Sequence, residues 1–300
     1  MTDLVIRPLV AGEEELFLSQ PDPHLVGIAS TDAPRAVFAA EQYRPEWTWV
    51  ALRGDEVIAR AAWYGGPDDT EPGSLNWFDF TDPDVGTALL RAAPFRADYC
   101  LVLPPQWRDD PAVAAQAEAR IAAAERAGMK QWIERFRYTW TAADGLPARP
   151  GRLTYRPEPD DAVVLDLIRR IHTSTLDGHA QREIAAGGIE AAAREELAFM
   201  NWLPGPREWW RVASTPHGEV VGLTMPSRNY FNPTIGLVGV VPAQRGHGYG
   251  YDLLVEATHI LVEDGAEQIS AATDLGNAPM AAAFARAGYP ITQKHLFLTY

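Results

Sequence analysis

Val238-Gly239-Val240-Val241-Pro242-Ala243-Gln244-Arg245-Gly246-His247-Gly248-Tyr249-Gly250 reads as a strand, a stop and a glycine-rich turn into a helix. Val238 and Val240 alternate with the two-residue period of a β-strand. Pro242 has no N–H to give a ladder, so pairing ends there. Glycines at 246, 248 and 250 let the backbone turn successive N–H groups toward one concavity. The helical pattern from 251 to 257 adds unpaired amides and the positive end of a dipole. Such a cradle suits a pyrophosphate. A plain strand-to-helix turn has the same glycines, because such loops are common.

A second stretch lies about thirty residues on. Asp274-Leu275-Gly276-Asn277-Ala278-Pro279-Met280 follows an expected strand at 268–273, and Phe284 and Gly288-Tyr289 come after it. Together the two stretches resemble the GCN5-related N-acetyltransferase (GNAT) family. There, R/Q-x-x-G-x-G/A binds the pyrophosphate of acetyl-CoA, and Arg245, Gly248 and Gly250 match it. A later N-x-x-(A/M), an aromatic and G-F/Y match Asn277, Met280, Phe284, Gly288 and Tyr289. The resemblance implies an α/β fold with an α+β mixed sheet and acetyl-CoA as acyl donor. It implies cofactor contacts from Arg245, Gly246, His247, Gly248, Tyr249 and Gly250 at the pyrophosphate. Val238, Gly239 and Val240 fall along the pantetheine arm, and Asn277, Met280 and Phe284 beside the cofactor. It also implies a backbone N–H near Val240 or Val241 as the oxyanion donor.

The rest of the chain sets bounds on this reading. Three hundred residues suggest two domains of about 150. A net charge of −14 argues against nucleic acid, which wants a basic face. An anionic cofactor must then be met by a local positive site, while a cationic acceptor is favoured by the overall field. The single cysteine, Cys100, sits in an apolar β-like run and reads as a buried, inert thiol. No metal-ligand spacing is present. The first residues lack a signal-peptide pattern, and no uncharged apolar run approaches the ~20 residues of a membrane span. The expected location is cytoplasmic.

The order of elements repeats. Ile6-Arg7-Pro8 is echoed by Tyr155-Arg156-Pro157, and a hairpin turning at Gly54-Asp55 by one turning at Pro216-His217-Gly218. Gly86-Thr87-Ala88-Leu89-Leu90 is echoed by Gly250-Tyr251-Asp252-Leu253-Leu254, and Arg126-Ala127-Gly128 by Arg286-Ala287-Gly288. We therefore expect two tandem GNAT-like domains, 1–145 and 152–300, joined by a linker at 143–151. Helices are expected at 33–43, 82–93, 111–127, 160–172 and 190–200, and a strand at 132–141. Where the second copy has its cradle, the first has Thr81-Asp82-Pro83-Asp84-Val85-Gly86. Proline removes a donor and carboxylates repel phosphate, so the first copy is expected to be degenerate.

The resemblance implies acetyl transfer from the thioester to an amine. Two side chains common in the family are absent: a glutamate where Thr234 stands, and a tyrosine where Phe284 stands. A base worth about 10²–10⁴ must then come from elsewhere. Asp274, at the end of its strand, is the first candidate. His172 and His179, flanking the loop between the first two helices, are the others. Each also reads as a turn or loop residue. Glu195 and Glu196 read as a solvated helix face. Trp202, Tyr230 and Phe231 are candidates for holding the acceptor, alongside core roles for Trp209 or Trp210. The expected activity is N-acetylation of a small-molecule amine by a monomer. The alternatives are transfer of a longer acyl group, or a catalytically inactive coenzyme A-binding protein.

Overall fold

The computed structural model describes residues 3–28, 42–66, 69–229 and 232–300. The chain divides into two compact units, 1–134 with 293–300, and 135–292. In order, its elements are β1 (Leu4–Pro8), α1 (Glu14–Leu18), β2 (Thr48–Arg53), β3 (Glu56–Tyr64), β4 (Ser74–Phe80) and α2 (Pro83–Ala92). Then come β5 (Asp98–Leu103), α3 (Pro111–Arg126), β6 (Lys130–Thr141), β7 (Thr154–Pro157), α4 (Asp161–His172) and α5 (Gly178–Trp202). The chain closes with β8 (Arg211–Ser214), β9 (Val220–Arg228), β10 (Pro233–Val240), α6 (Tyr249–Glu263), β11 (Gln268–Asp274), α7 (Ala278–Arg286) and β12 (Ile291–Thr299). This is a mixed α/β fold with the element order expected of a repeat. The chain passes from the first unit to the second inside β6, after Glu134, and back inside β12, after Thr292.

In the first unit the strands pair in the order β1-β2-β3-β4-β5-β12. All pairs are antiparallel except β4–β5, which is parallel over only Ser74↔Asp98 and Leu75↔Tyr99. Asp82 caps α2 by accepting the N–H of Asp84, and Asp110 caps α3. Cys100 is buried, 3.5 Å from His295 Nδ1. The core gathers Trp47, Trp63, Phe78, Tyr99 and Leu101 with the inner faces of α2 and α3.

In the second unit the order is β6-β11-β10-β9-β8-β7. Again only the central pair, β10–β11, is parallel, and it touches only at Thr234↔Ser270. Thr234 reinforces that contact by donating its hydroxyl to the carbonyl of Ser270 at 3.0 Å. Beyond it the two strands diverge toward Val240 and Asp274. The core joins Tyr138 and Trp140 of β6, α4, the second half of α5, Trp209, Trp210, α6 and Phe284.

The units do not divide at 143–151: that stretch lies inside the second unit. The strand expected to finish the first domain instead supplies residues 135–141 to the second, paired along all of β11. β12 makes the return exchange, pairing with β5. Strand period alone cannot say which neighbour a strand will choose, and this is why the boundary was not visible in the sequence. The helix expected at 33–43 falls almost wholly outside the described residues.

Candidate functional site

The divergence of β10 from β11 opens a cavity of about 510 Å³ in the second unit. Register explains why its wall can bond a ligand. Val241 donates to Val221 of β9 at 2.9 Å, and Val240 stands opposite Gly222. In an antiparallel ladder, residues alternate between bonding the partner and facing away. Val241 and Gly239 therefore face β9, while Val238 and Val240 turn their backbone groups to the opened side. Gly239 lets the strand pass close to α4: a Cβ there would lie 2.5 Å from Ile171 Cδ1.

The far end of the cavity is the glycine loop. Gly246 and Gly248 take positive φ, 82° and 74°, which disfavours any other residue. Gly248 is the N-cap of α6. Among the described residues, no carbonyl receives the N–H groups of Gly246, His247 or Gly248. The first turn of α6 adds the unpaired amides of Tyr249 and Gly250. Gly250 has open space where a Cβ would stand. Val238, Gly239, Val240, Arg245, Gly246, Gly248, Tyr249, Gly250, Asn277 and Met280 all line the cavity. So do Ser174 and Arg286, which sequence reasoning had not placed there. The Arg286 guanidinium lies 3.8 Å from the centre of the Tyr251 ring.

Two arginines hold the loop. Arg245 donates to the carbonyls of Val240 (3.1 Å), Ser174 (2.7 Å) and Ile171 (2.9 Å), tying the end of β10 to the end of α4. Its guanidinium is engaged with carbonyls, and partial burial pushes its pKa down. Its place is that of a brace whose backbone edges the cavity. Arg152 is the second brace. It pairs through two nitrogens with the buried carboxylate of Asp252 and donates to the carbonyls of His247 (3.0 Å) and Gly248 (3.4 Å). Fixing those carbonyls outward turns the loop's amides inward. Arg152 stands just after the stretch expected as linker, at the first residue of the expected second domain.

Three expected contacts stand elsewhere. Phe284 is 1 % exposed and stacks on Tyr138 at 4.2 Å, so it packs the core instead of lining the cavity. The His247 ring lies outside the cavity, parallel to Tyr249 at 5.5 Å between centroids. Trp202 is 59 % exposed and stacks on Phe199, also exposed, at the end of α5. Tyr230 and Phe231 lie outside the described residues.

Two of the three candidate bases, Asp274 and His179, come together around an arginine. Arg135 of β6 stands opposite Asp274 of β11. Its guanidinium approaches Asp274 at 2.8 Å, Asp177 at 3.1 Å and His179 Nδ1 at 3.2 Å. Arginine can only donate, so Nδ1 accepts and the imidazole proton sits on Nε2. The 2.8 Å ion pair lacks hydrogen-bond alignment. Ligand atoms of Asp177, His179 and Asp274 lie within 4.8 Å of one another, as metal ligands could, but Arg135 takes that position. Asp274 also accepts the N–H of Gly178 at 2.5 Å. Burial raises its pKa, Arg135 opposes this, Asp177 adds to it and the Gly178 N–H opposes it. Both its oxygens are occupied in holding β6 and the start of α5. His172 is buried, and its Nδ1 has no partner among the described residues. Desolvation lowers its pKa, with Asp177 opposing.

Glu196 joins this group, contrary to its reading as a solvated face. It is half-buried, and its pKa is pushed up to about 7 by desolvation and by Asp177, against the pull of Arg135. The available signal was its spacing with Ala192, Ala193 and Met200, all buried on one face of α5.

Residues 180–289 match the family model described as the acetyltransferase (GNAT) family. Over this segment the chain is similar to the GNAT acetyltransferases. It is an acyl-CoA-dependent acyltransferase. No curated protein matches it in sequence. Solved structures share the fold over nearly the whole chain. A GCN5-related N-acetyltransferase from Sphaerobacter thermophilus has a TM-score of 0.57 at 15% identity, covering 99% of this chain and 95% of its own. A tandem GNAT protein from the clavulanic acid biosynthesis pathway has a TM-score of 0.52 at 18% identity, covering 99% and 98%. The glucosamine N-acetyltransferase region of a fungal multi-domain GH3 β-N-acetylglucosaminidase gives 0.57 at 14%, covering 99% of this chain and 38% of that one. These likenesses establish a GNAT fold, in tandem for the second of them.

The first unit repeats the splay but fills it. Arg120 of α3 enters it, donating to the carbonyl of Phe78 on β4 at 3.0 Å and pairing with Asp79 and Asp22 at 2.8 Å. Arg60 pairs with Asp79 from the other side at 2.9 Å. Gly27 donates to Val102 of β5 at 2.7 Å. At the turn, the Asp82 carboxylate already takes the Asp84 amide.

Proposed function

We propose that the second unit transfers an acetyl group from acetyl-CoA to the amine of a small molecule. The observation that carries this reading is the open side of β10, running straight into a loop of unpaired amides. In this reading the N–H groups of Gly246, His247, Gly248, Tyr249 and Gly250 receive the pyrophosphate. The backbone of Val238 pairs with the pantetheine arm, and Asn277, Met280 and Arg286 flank the nucleotide side. The Val240 N–H stabilises the oxyanion, because the Val241 N–H is taken by Val221 and the Val240 N–H is not. A coenzyme A thiolate leaves without a dedicated acid, so the phenylalanine at 284 costs little. Arg120 and its carboxylates leave no such slot in the first unit, and we assign it no acyl-CoA site. The chain acts as a monomer in the cytoplasm. Among the described residues no helix is long and apolar enough to cross a membrane.

The test is release of free coenzyme A thiol when primary amines are offered with acetyl-CoA. Amine-dependent release supports the reading, and its absence across aliphatic, aromatic and sugar amines contradicts it.

A further inference from the structure

Arg126 and Arg286 hold the same place in the two copies of the repeat, each before Ala-Gly and each at the end of its helix, α3 or α7. In the first unit Arg126 is spent on the start of α2. It donates to the hydroxyl of Thr87 at 3.2 Å and to the carbonyl of Pro83 at 3.0 Å, and it pairs with Asp84 at 3.7 Å. The echo of Gly86-Thr87 in Gly250-Tyr251 sets Pro83, Asp84 and Thr87 against His247, Gly248 and Tyr251. Each of the three partners is withdrawn from Arg286. Glycine at 248 brings no carboxylate. The carbonyl of His247 is held by Arg152 at 3.0 Å. Tyr251 offers a ring in place of a hydroxyl, and the Arg286 guanidinium lies over that ring at 3.8 Å.

The result is a cation without a carboxylate in a chain of net charge −14. Among the described residues, Arg286 forms no ion pair and its side chain donates no hydrogen bond. Stacking on Tyr251 uses the face of the guanidinium and leaves the N–H fork free at its edge. Arg286 lines the cavity with Pro279, Ala282 and Ala283, which are spaced as one face of α7. It stands in the last turn, about 12 Å along the helix from Ala278 at 1.5 Å per residue, at the end away from β11. The cradle stops short of it. The Tyr251 N–H is taken by the carbonyl of Gly248 at 3.1 Å, so the free amides end at Gly250. Arg245, the other arginine in the cavity wall, has its guanidinium engaged with carbonyls.

We propose that Arg286 binds the 3′-phosphate on the ribose of the donor, and so makes the site selective for complete coenzyme A. This rests on the reading above, in which the glycine loop receives the pyrophosphate. Coenzyme A carries two separate anionic groups, the pyrophosphate and a phosphomonoester on the ribose. The five amides of the cradle meet the first. A phosphomonoester carries about −1.5 to −2 charges near neutral pH and suits a bidentate guanidinium. The first unit, to which we assign no acyl-CoA site, has the same arginine turned back on its own helix.

The test is calorimetry with coenzyme A and 3′-dephospho-coenzyme A, which differ by this one group and need no acceptor. Wild type, Arg286→Gln, Arg286→Lys and Arg126→Gln are compared. Wild type binds coenzyme A about 10–100-fold more tightly than the dephospho form at low salt, the scale of hydrogen bonds to a charged group. That margin narrows as sodium chloride is raised. In Arg286→Gln it shrinks to about threefold or less because the fork is gone, while affinity for the dephospho form stays that of wild type. Arg286→Lys keeps the charge without the fork and falls between. Arg126→Gln behaves as wild type. Equal binding of the two ligands by wild type, or an undiminished margin in Arg286→Gln, overturns the proposal and leaves the transfer reading standing. So does an equal loss of affinity for both ligands in Arg286→Gln, which would put the guanidinium on the part they share. Failure of wild type to bind either ligand overturns both.

Discussion

Replacing Glu196 by glutamine should stabilise the protein, and only where the glutamate is ionised. The carboxyl sits at about 4.5 in an open chain and about 7 in the folded protein. Between these values the folded state holds a proton that the unfolded state has released. Stability therefore falls as pH rises through that window, since its slope follows the protons bound by the unfolded state minus those bound by the folded one. The whole displacement corresponds to on the order of 3 kcal/mol at about 1.4 kcal/mol per tenfold step. Half-burial lets water screen part of it, so we expect about 2 kcal/mol. Glutamine has no such penalty. Urea unfolding followed by circular dichroism at pH 4.5 and pH 8 measures the difference. Variant and wild type should be nearly equal at pH 4.5, and the variant more stable by about 2 kcal/mol at pH 8. A difference that stays constant across the range refutes the reasoning, because an ordinary surface glutamate has no folded-state displacement to remove.

Other consequences can be checked alongside. Arg152→Ala leaves the buried Asp252 carboxylate without its partner and frees the carbonyls of His247 and Gly248; it should cost about 2–3 kcal/mol in urea unfolding and weaken acetyl-CoA binding at least tenfold by calorimetry. Gly188→Ala forces a side chain into positive φ at the interruption of α5; it should cost about 1–3 kcal/mol in urea unfolding while acetyl-CoA affinity stays within twofold. Asp79→Ala strands two buried guanidiniums in the first unit and should destabilise by about 3–5 kcal/mol in urea, again with acetyl-CoA affinity unchanged. Each of these fails if the named readout does not move.

The repeat was legible because its marks are local. Strand-stopping prolines, hairpin turns, the Asp82 cap and the spaced glycines depend on a few adjacent residues, and each lies where the sequence suggests. The cradle was legible for the same reason, since positive φ at Gly246 and Gly248 demands glycine. What stayed hidden depends on distant partners. Nothing near Arg135 says that its strand will pair with β11 and bring a cation between Asp177, His179 and Asp274. Nothing near Arg152 announces Asp252, a hundred residues on. Phe284 was drawn toward the cofactor by the family pattern, yet it stacks on Tyr138, whose strand had been given to the other domain. Glu196, expected on a solvated face of the helix at 190–200, is half-buried instead. Desolvation and the company of Asp177 change its chemistry, and the latter is not visible in the spacing of its own turn.

Calorimetric titration of acetyl-CoA into wild type and Gly250→Trp tests the central claim most directly. Gly250 edges the cavity with open space at its Cβ and an unstrained φ, so the indole fills the cradle without disturbing the fold. The account predicts one site in wild type and none in the variant. No binding by wild type, or equal binding by both proteins, would contradict it.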